Sequence, residues 1–184
     1  MMTLHYGVKY KPVTDKKVST VGYSDADWAG CKATRRSTSG YIFLMNGCPV
    51  AWASKKQSLV SLSSTESEYI ALAKCVQQAI WMASWMREVD LDVGGPMDLL
   101  VDNLGTIALS ETTKGHDLAK HIDIRYFFIR DAVKEGQVSI YTVASSQNLA
   151  DIMTKSLPRE KHRRIVTALG LDWWYHDSRG SVKC

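Results

Sequence analysis

The chain has 184 residues, 45% of them hydrophobic, with 23 Lys and Arg against 19 Asp and Glu, for a formal net charge of +4. That is enough apolar material for one domain with a full core, and too little length for two independent ones. The mildly basic balance permits a nucleic-acid partner without demanding it. No apolar run approaches the roughly 18 residues of a membrane-spanning helix.

Residues 1–20 mix short β-like pieces with lysines and read as a lead-in, without the apolar core of a secretory signal. VGYSDAD, from residue 21, reads as a strand that ends in two carboxylates, although Asp is a poor strand residue. CKATRRSTSG is a basic loop rich in Ser and Thr. SGYIFLMNG and CPVAWASK flank Asn46-Gly47, a hairpin signal. Residues 64–89 carry the longest helical pattern, with Tyr69, Leu72, Ala73, Val76, Ile80 and Ala83 on one stripe. Gly94-Gly95-Pro96 breaks it. MDLLVDNLG reads as a strand that delivers Asp102. Residues 121–134 read as a helix that stops near Gly136, and QVSIYTVAS as a strand. NLADIMTKSL starts a helix, and PREKHRRIVTALGL forms another with Pro158 in its first turn. This order predicts a mixed sheet covered by helices.

The cysteines Cys31, Cys48, Cys75 and Cys184 are scattered, with no CxxC pair and no histidine at zinc spacing. A structural zinc is not expected, and a reducing compartment is. Cys75 falls in the long helix and reads as a small core residue.

Acidic residues sit where elements begin or end. Asp25 follows the first strand, Glu66 and Glu68 lie in the first turns of the long helix, Asp102 ends the next strand, and Asp151 opens a helix. Gathered at one end of a sheet, such carboxylates bind hard divalent cations through oxygen. Two metals about 4 Å apart activate a water and stabilise the leaving oxygen of a phosphodiester. Taken singly, Asp25 and Asp102 also read as turn residues, and Asp151 as an acid suited to a helix dipole.

GYSDADWAG, RRSTSGYIFL, VAWASKKQ, STESEYIALA, LLVDN, KHIDIRYFFIRD and NLADIMTKSL occur in this order from about residue 21 to about 157. Together they resemble the RNase H domain of copia-type LTR retrotransposon Pol polyproteins. The resemblance implies three parts. Residues 1–20 would be the end of a reverse transcriptase region, 21–157 the RNase H domain, and 158–184 a C-terminal helix and tail of the polyprotein. It also implies a carboxylate quartet of Asp25, Glu68, Asp102 and Asp151, catalytic and metal-binding. Asp27 has no counterpart in the quartet and reads as a turn or supporting group.

Helical geometry leaves Glu66 and Glu68 on opposite edges of the apolar stripe, about 160° apart. The resemblance selects Glu68, which directly precedes the apolar run, and leaves Glu66 as a first-turn acid. Many cellular RNases H carry a histidine in the loop before the last aspartate. VASSQNLAD has none, which makes His121 a possible auxiliary group, or else a residue that caps or packs its helix. His5, His116, His162 and His176 read as surface residues.

RNases H read 2′-hydroxyls and groove shape rather than base sequence. The resemblance therefore points to Ser63, Ser64, Thr65 and Asn103 as substrate-binding, with Ser64 also read as a helix cap. Arg36 and Lys56, with Arg35, Lys55, Arg163 and Arg164, are expected to meet phosphates. Trp173-Trp174 lies beyond the matched motifs.

The expected fold is thus α/β and RNase H-like. Its five-stranded mixed sheet has the first three strands antiparallel and the rest parallel to the first, flanked by helices. The implied activity is cleavage of the RNA strand of RNA–DNA hybrids with two Mg²⁺ or Mn²⁺ ions, leaving 3′-hydroxyl and 5′-phosphate ends. The implied partner is the reverse transcriptase segment of the same polyprotein, and the implied location is cytoplasmic, within virus-like particles. An integrase-like strand transferase fits the motif order less well. A domesticated module that holds hybrids or a protein without cutting is the alternative.

Overall fold

The computed structural model describes residues 6–10, 18–103, 120–173, 175–176 and 182–183, with the backbone alone for 120–123 and after 171. A short strand, β1 (Tyr6–Val8), precedes the main sheet. Five strands build that sheet: β2 (Thr20–Asp27), β3 (Thr38–Met45), β4 (Cys48–Lys56), β5 (Met97–Val101) and β6 (Val138–Thr142). Their order across the sheet is β4-β3-β2-β5-β6. β3 pairs antiparallel with β2 on one side and β4 on the other, while β5 runs parallel to β2 and β6 parallel to β5. The mixed sheet anticipated from the element order is therefore present, with the anticipated strand directions.

The hairpin between β3 and β4 arises from its turn residues. Asn46 and Gly47 have φ of 50° and 78°, the left-handed pair that a tight two-residue turn needs. The turn fixes the register, and Met45 faces Cys48.

Helices α1 (Ser64–Glu88) and α2 (Lys120–Lys134) share one face of the sheet, while α3 (Asp151–Thr154) and α4 (Arg159–Ala168) belong with the other. The alternation of side chains along β3 feeds both layers. Phe43 packs with Leu72 and Val76 of α1, Leu99 of β5 and Ile129 of α2. Its neighbours Ile42 and Leu44 pack with Leu149, Ala150, Ile165 and Leu169. Each such fully buried side chain contributes about 1.5–3 kcal/mol. A one-residue slip of β3 would exchange the two sets and cost both layers. Cys75 is fully buried, as expected of a small core residue.

Gly40 sets how closely the second layer approaches. A Cβ there would lie 2.6 Å from Thr154 Cγ2 and 2.7 Å from Met153 Cβ. Bare backbone in β3 lets α3 rest directly on the sheet.

Two expectations shift slightly. The helix expected from NLADIMTKSL is a single turn. Pro158 occupies the cap position of α4, with extended ψ of 147°, rather than its first turn. Strand β7 (Leu171–Trp173) pairs antiparallel with β1, tying the first described residues to the segment after α4. A two-residue ribbon, β8 (Tyr175–His176) with β9 (Val182–Lys183), comes after it. Among the described residues no helix is long and apolar enough to cross a membrane.

Candidate metal centre

The topology prepares a crevice. From β2 the chain turns to β3 and β4 on one side, then returns through α1 to β5 on the other. In open α/β sheets the carboxyl ends of strands at such a reversal are where ligands bind. Asp25 lies near the end of β2, and Asp102 directly succeeds β5. The first turns of α1 bring the third acid, Glu68. One carboxylate oxygen from each of Asp25, Glu68 and Asp102 lies within 4.8 Å of the other two.

The start of α1 decides which glutamate faces the crevice. Ser63, not Ser64, is the N-cap, and its hydroxyl accepts the Glu66 N–H at 3.1 Å. The Glu66 carboxylate turns back to accept the Leu62 N–H at 2.6 Å. This is a reciprocal cap of the capping-box kind, shifted by one residue at its outer end. The helix thus occupies Glu66 with its own terminus. Ser64, expected as the cap, instead offers its carbonyl to the Ser67 hydroxyl at 2.7 Å. The correction has a simple cause: three consecutive residues, Ser63, Ser64 and Thr65, can all cap a helix, and tertiary packing selects one.

Burial and crowding perturb the acids. Glu68 is pushed up to about 9, first by burial and then by the charges of Asp25 and Asp102. An N–H from Ala26 offsets a part of this. Asp25 is 1% exposed, and burial raises it too, against the hydroxyl of Thr154 and the charge of Lys155. Like charges about 4 Å apart repel by roughly 4 kcal/mol at an effective dielectric near 20. Three hard oxygen donors from three separate elements suit Mg²⁺ or Mn²⁺, whose charge would relieve the crowding that raises Glu68.

Asp151, the fourth expected acid, is fully buried and connects to this group through cations. The Lys155 ammonium lies 2.6 Å from Asp151 and 3.4 Å from Asp25. Lys161 pairs with the other Asp151 oxygen and also donates to the Ser145 carbonyl. The Thr154 hydroxyl donates to Asp25. Asn148 fixes the approach to α3, donating to the Ser24 carbonyl at 2.9 Å and accepting the Ala150 N–H at 3.1 Å. The structure thus brings three of the four expected acids together and ties the fourth to Asp25 through Lys155.

Sequence reasoning missed Asn148, Thr154, Lys155 and Lys161. The signal for the middle pair was present, because Thr154 and Lys155 come after Asp151 at the three- and four-residue spacing of one helical face. Gln57 was missed as well. It is buried at the end of β4, donates to the Ser39 hydroxyl and the Ser67 carbonyl, and accepts from the Ser61 hydroxyl. It binds β3, the loop before α1 and α1 itself into one unit. Trp28 adds a second tie, donating to the Ser61 carbonyl at 3.1 Å.

The other expected residues lie around this centre or apart from it. Arg36 and Lys56 are exposed, and the pairing of Asp27 with Thr38 and of Thr38 with Lys56 sets both at the Asp25 end of the sheet. Lys56 donates to the Cys31 sulfur at 3.0 Å. Thr65 is half-buried at the start of α1, and Asn103 is half-buried beside Asp102. Arg164 is engaged by the Ser146 carbonyl. The His121 side chain and the Trp173-Trp174 side chains lie outside the described residues.

No family model matches the chain. It is 37% identical over 154 residues to the retrovirus-related Pol polyprotein from transposon RE1 of Arabidopsis thaliana, covering 84% of this chain and 10% of that one. It is 35% identical over 150 residues to the one from transposon TNT 1-94 of Nicotiana tabacum, covering 82% and 11%. Among solved structures, it superposes on the N-terminal RNase H domain of a Mycobacterium tuberculosis protein with a TM-score of 0.52 at 12% identity, covering 83% of this chain and 99% of that one. Its homologues are copia-type Pol polyproteins, and its fold is that of RNase H. The chain spans about a tenth of the length of these Pol relatives. The same RNase H fold recurs in a foamy viral protease-reverse transcriptase solved with an RNA/DNA hybrid, with a TM-score of 0.53 at 16% identity over 79% of this chain and 21% of that one.

Proposed function

We propose that the chain is a ribonuclease H that hydrolyses the RNA strand of RNA–DNA hybrids during retrotransposon reverse transcription. The observation that carries this reading is the convergence of Asp25, Glu68 and Asp102 within 4.8 Å at the carboxyl ends of β2 and β5 in an RNase H fold. Two Mg²⁺ or Mn²⁺ ions would be held by these three acids and Asp151. Bound there, divalent ions would supply Lewis-acid activation of water and stabilisation of the leaving oxygen, leaving 3′-hydroxyl and 5′-phosphate ends. The chain's own contribution is to aim Asp25 from a rigid strand and Glu68 from a capped helix. Ser64 and Thr65, one helical turn before Glu68, and Asn103, next to Asp102, would meet 2′-hydroxyls, with Ser63 supporting them as the cap. Arg36 and Lys56 would meet phosphates. The reverse transcriptase segment of the same polyprotein is the natural partner, within cytoplasmic virus-like particles. On this reading residues 21–157 carry the nuclease motifs. The helix after 157 still shares the sheet's second core through Ile165.

The test is a labelled RNA–DNA hybrid with Mg²⁺, with Mn²⁺ and with EDTA, beside a DNA duplex of the same sequence. The RNA strand alone should be cut, and only with metal. Asp25→Asn should abolish cutting while it shifts metal-free stability by no more than about 1 kcal/mol, because it removes a crowded charge along with its partners. Equal cutting of the DNA duplex, or full activity of the variant, defeats the reading.

A further inference from the structure

We propose that Lys155 is the resident counter-cation of this site: its ammonium neutralises Asp25 and Asp151 in the metal-free chain and competes with the divalent cation for Asp25. The inference rests on the metal-site reading and goes beyond it, by naming what holds the site before metal arrives.

The geometry comes first. Lys155 Nζ stands 3.4 Å from both oxygens of Asp25 and 2.6 Å from Asp151. Asp25 also belongs to the three-acid group. An ammonium against both Asp25 oxygens occupies the donor that a cation shared with Glu68 and Asp102 would need.

Burial makes the arrangement switchable in one direction. The side chains of Asp25 and Asp151 are each 1% exposed, whereas that of Lys155 is 36% exposed. The acids cannot be rehydrated where they stand, and their charge needs a partner in place. The lysine has an open path to water along its flexible stem. Asp151 has a second cation, Lys161, and so keeps a partner if Lys155 moves. Among the described ion pairs Lys155 is the cation facing Asp25, and divalent metal is its natural replacement there.

The competition has a size. An ammonium and a divalent cation about 5 Å apart repel enough, even at the dielectric of water, to change affinity roughly tenfold. Removing the ammonium should therefore tighten metal binding. Removing a residue that merely organises the carboxylates would weaken it.

The experiment is calorimetric titration of the substrate-free chain with Mn²⁺, comparing the native protein with Lys155→Met and Lys155→Arg. The methionine variant should bind Mn²⁺ about tenfold more tightly, melt at a lower temperature without metal, and gain more on adding it. The arginine variant should stay within about threefold of the native affinity. Lys155→Gln, which keeps a donor for Asp151, gives the same comparison if the methionine variant does not fold. Equal or weaker Mn²⁺ binding in the neutral variants overturns the role of Lys155 and leaves the metal site standing. If Mn²⁺ fails to bind the native chain, or binds it regardless of Asp102→Asn, the metal-site reading falls and the role of Lys155 with it.

Discussion

Replacing Glu68 by Gln tests the electrostatics of the crevice in a way that activity alone does not. Glu68 is raised to about 9 in the folded chain, by burial first and then by Asp25 and Asp102. In the unfolded chain it titrates near 4.5. Between these values the folded state holds a proton that the unfolded state has lost, so metal-free stability falls as pH rises from about 4.5 to about 9. Asp25 is shifted in the same direction and adds to the slope. Lys155 holds its proton above the ordinary lysine range: burial works against the charge, but Asp151 and Asp25 outweigh it. Its contribution is fully present below about pH 10.5 and does not vary in this window. At 1.36 kcal/mol per pKa unit the upper bound for Glu68 is about 6 kcal/mol. Relaxation and hydration of the opened site bring the expected loss to about 2–3 kcal/mol, a fall in Tm of roughly 5–10 °C for a chain of this size. Glutamine mimics the protonated acid. The variant should match the native Tm near pH 5 and exceed it by several degrees near pH 9, both in EDTA. Thermal melts at half-unit pH steps give the two curves. Parallel curves, or a variant several kcal/mol less stable at pH 5, would show that Glu68 is an ordinary partly solvated acid and that the crevice is not crowded.

Glu66→Gln weakens the reciprocal cap on Leu62 and should cost about 0.5–1 kcal/mol in a urea melt, while hybrid cleavage stays within about twofold; Glu68→Gln should lose cleavage by orders of magnitude with hybrid binding kept. The reverse pattern would put the wrong glutamate in the crevice. Gln57→Leu strands two serine hydroxyls in the interior and removes a tie to α1, and should cost about 2–4 kcal/mol in the same measurement; a cost under 0.5 kcal/mol would mean the hub is dispensable. Lys56→Ala should lower the salt dependence of hybrid binding by about one unit of log–log slope without changing sequence preference, and an unchanged slope would remove Lys56 from the phosphate contacts.

Where the sequence was informative, the signal was local and repetitive. Asn46-Gly47 dictates its turn by chirality alone, and the stripe from Tyr69 to Ala83 dictates a helix by its period. Asp25 and Asp102 stand out because a strand rarely ends its buried run with a carboxylate. The pairing of β1 with β7 was illegible for the opposite reason. Three residues at each end carry no period, and no local rule joins Tyr6 to Trp173. Gln57 follows two lysines and carries no local sign of burial. Its burial depends on Ser39, Ser61 and Ser67 arriving from three other segments. Nothing in a linear pattern shows that the acid which Lys155 and Lys161 pair with is sealed from water. The serine that caps α1 was misplaced by one, since neighbouring serines compete on equal terms until the strand before them is anchored.

The absence of a side chain at Gly40 has a consequence for how such a site can drift over time. The polar groups around Asp25 are held by a gap one hydrogen atom wide. A methyl group at that position would press against Thr154 and Met153 and act as a wedge under α3. Thr154 and Lys155 ride on or beside that turn, so the wedge would lift both from Asp25 without altering either of them. A copy of this chain could thus lose the tuning of its carboxylates through a change that every chemical inventory of the crevice would score as harmless.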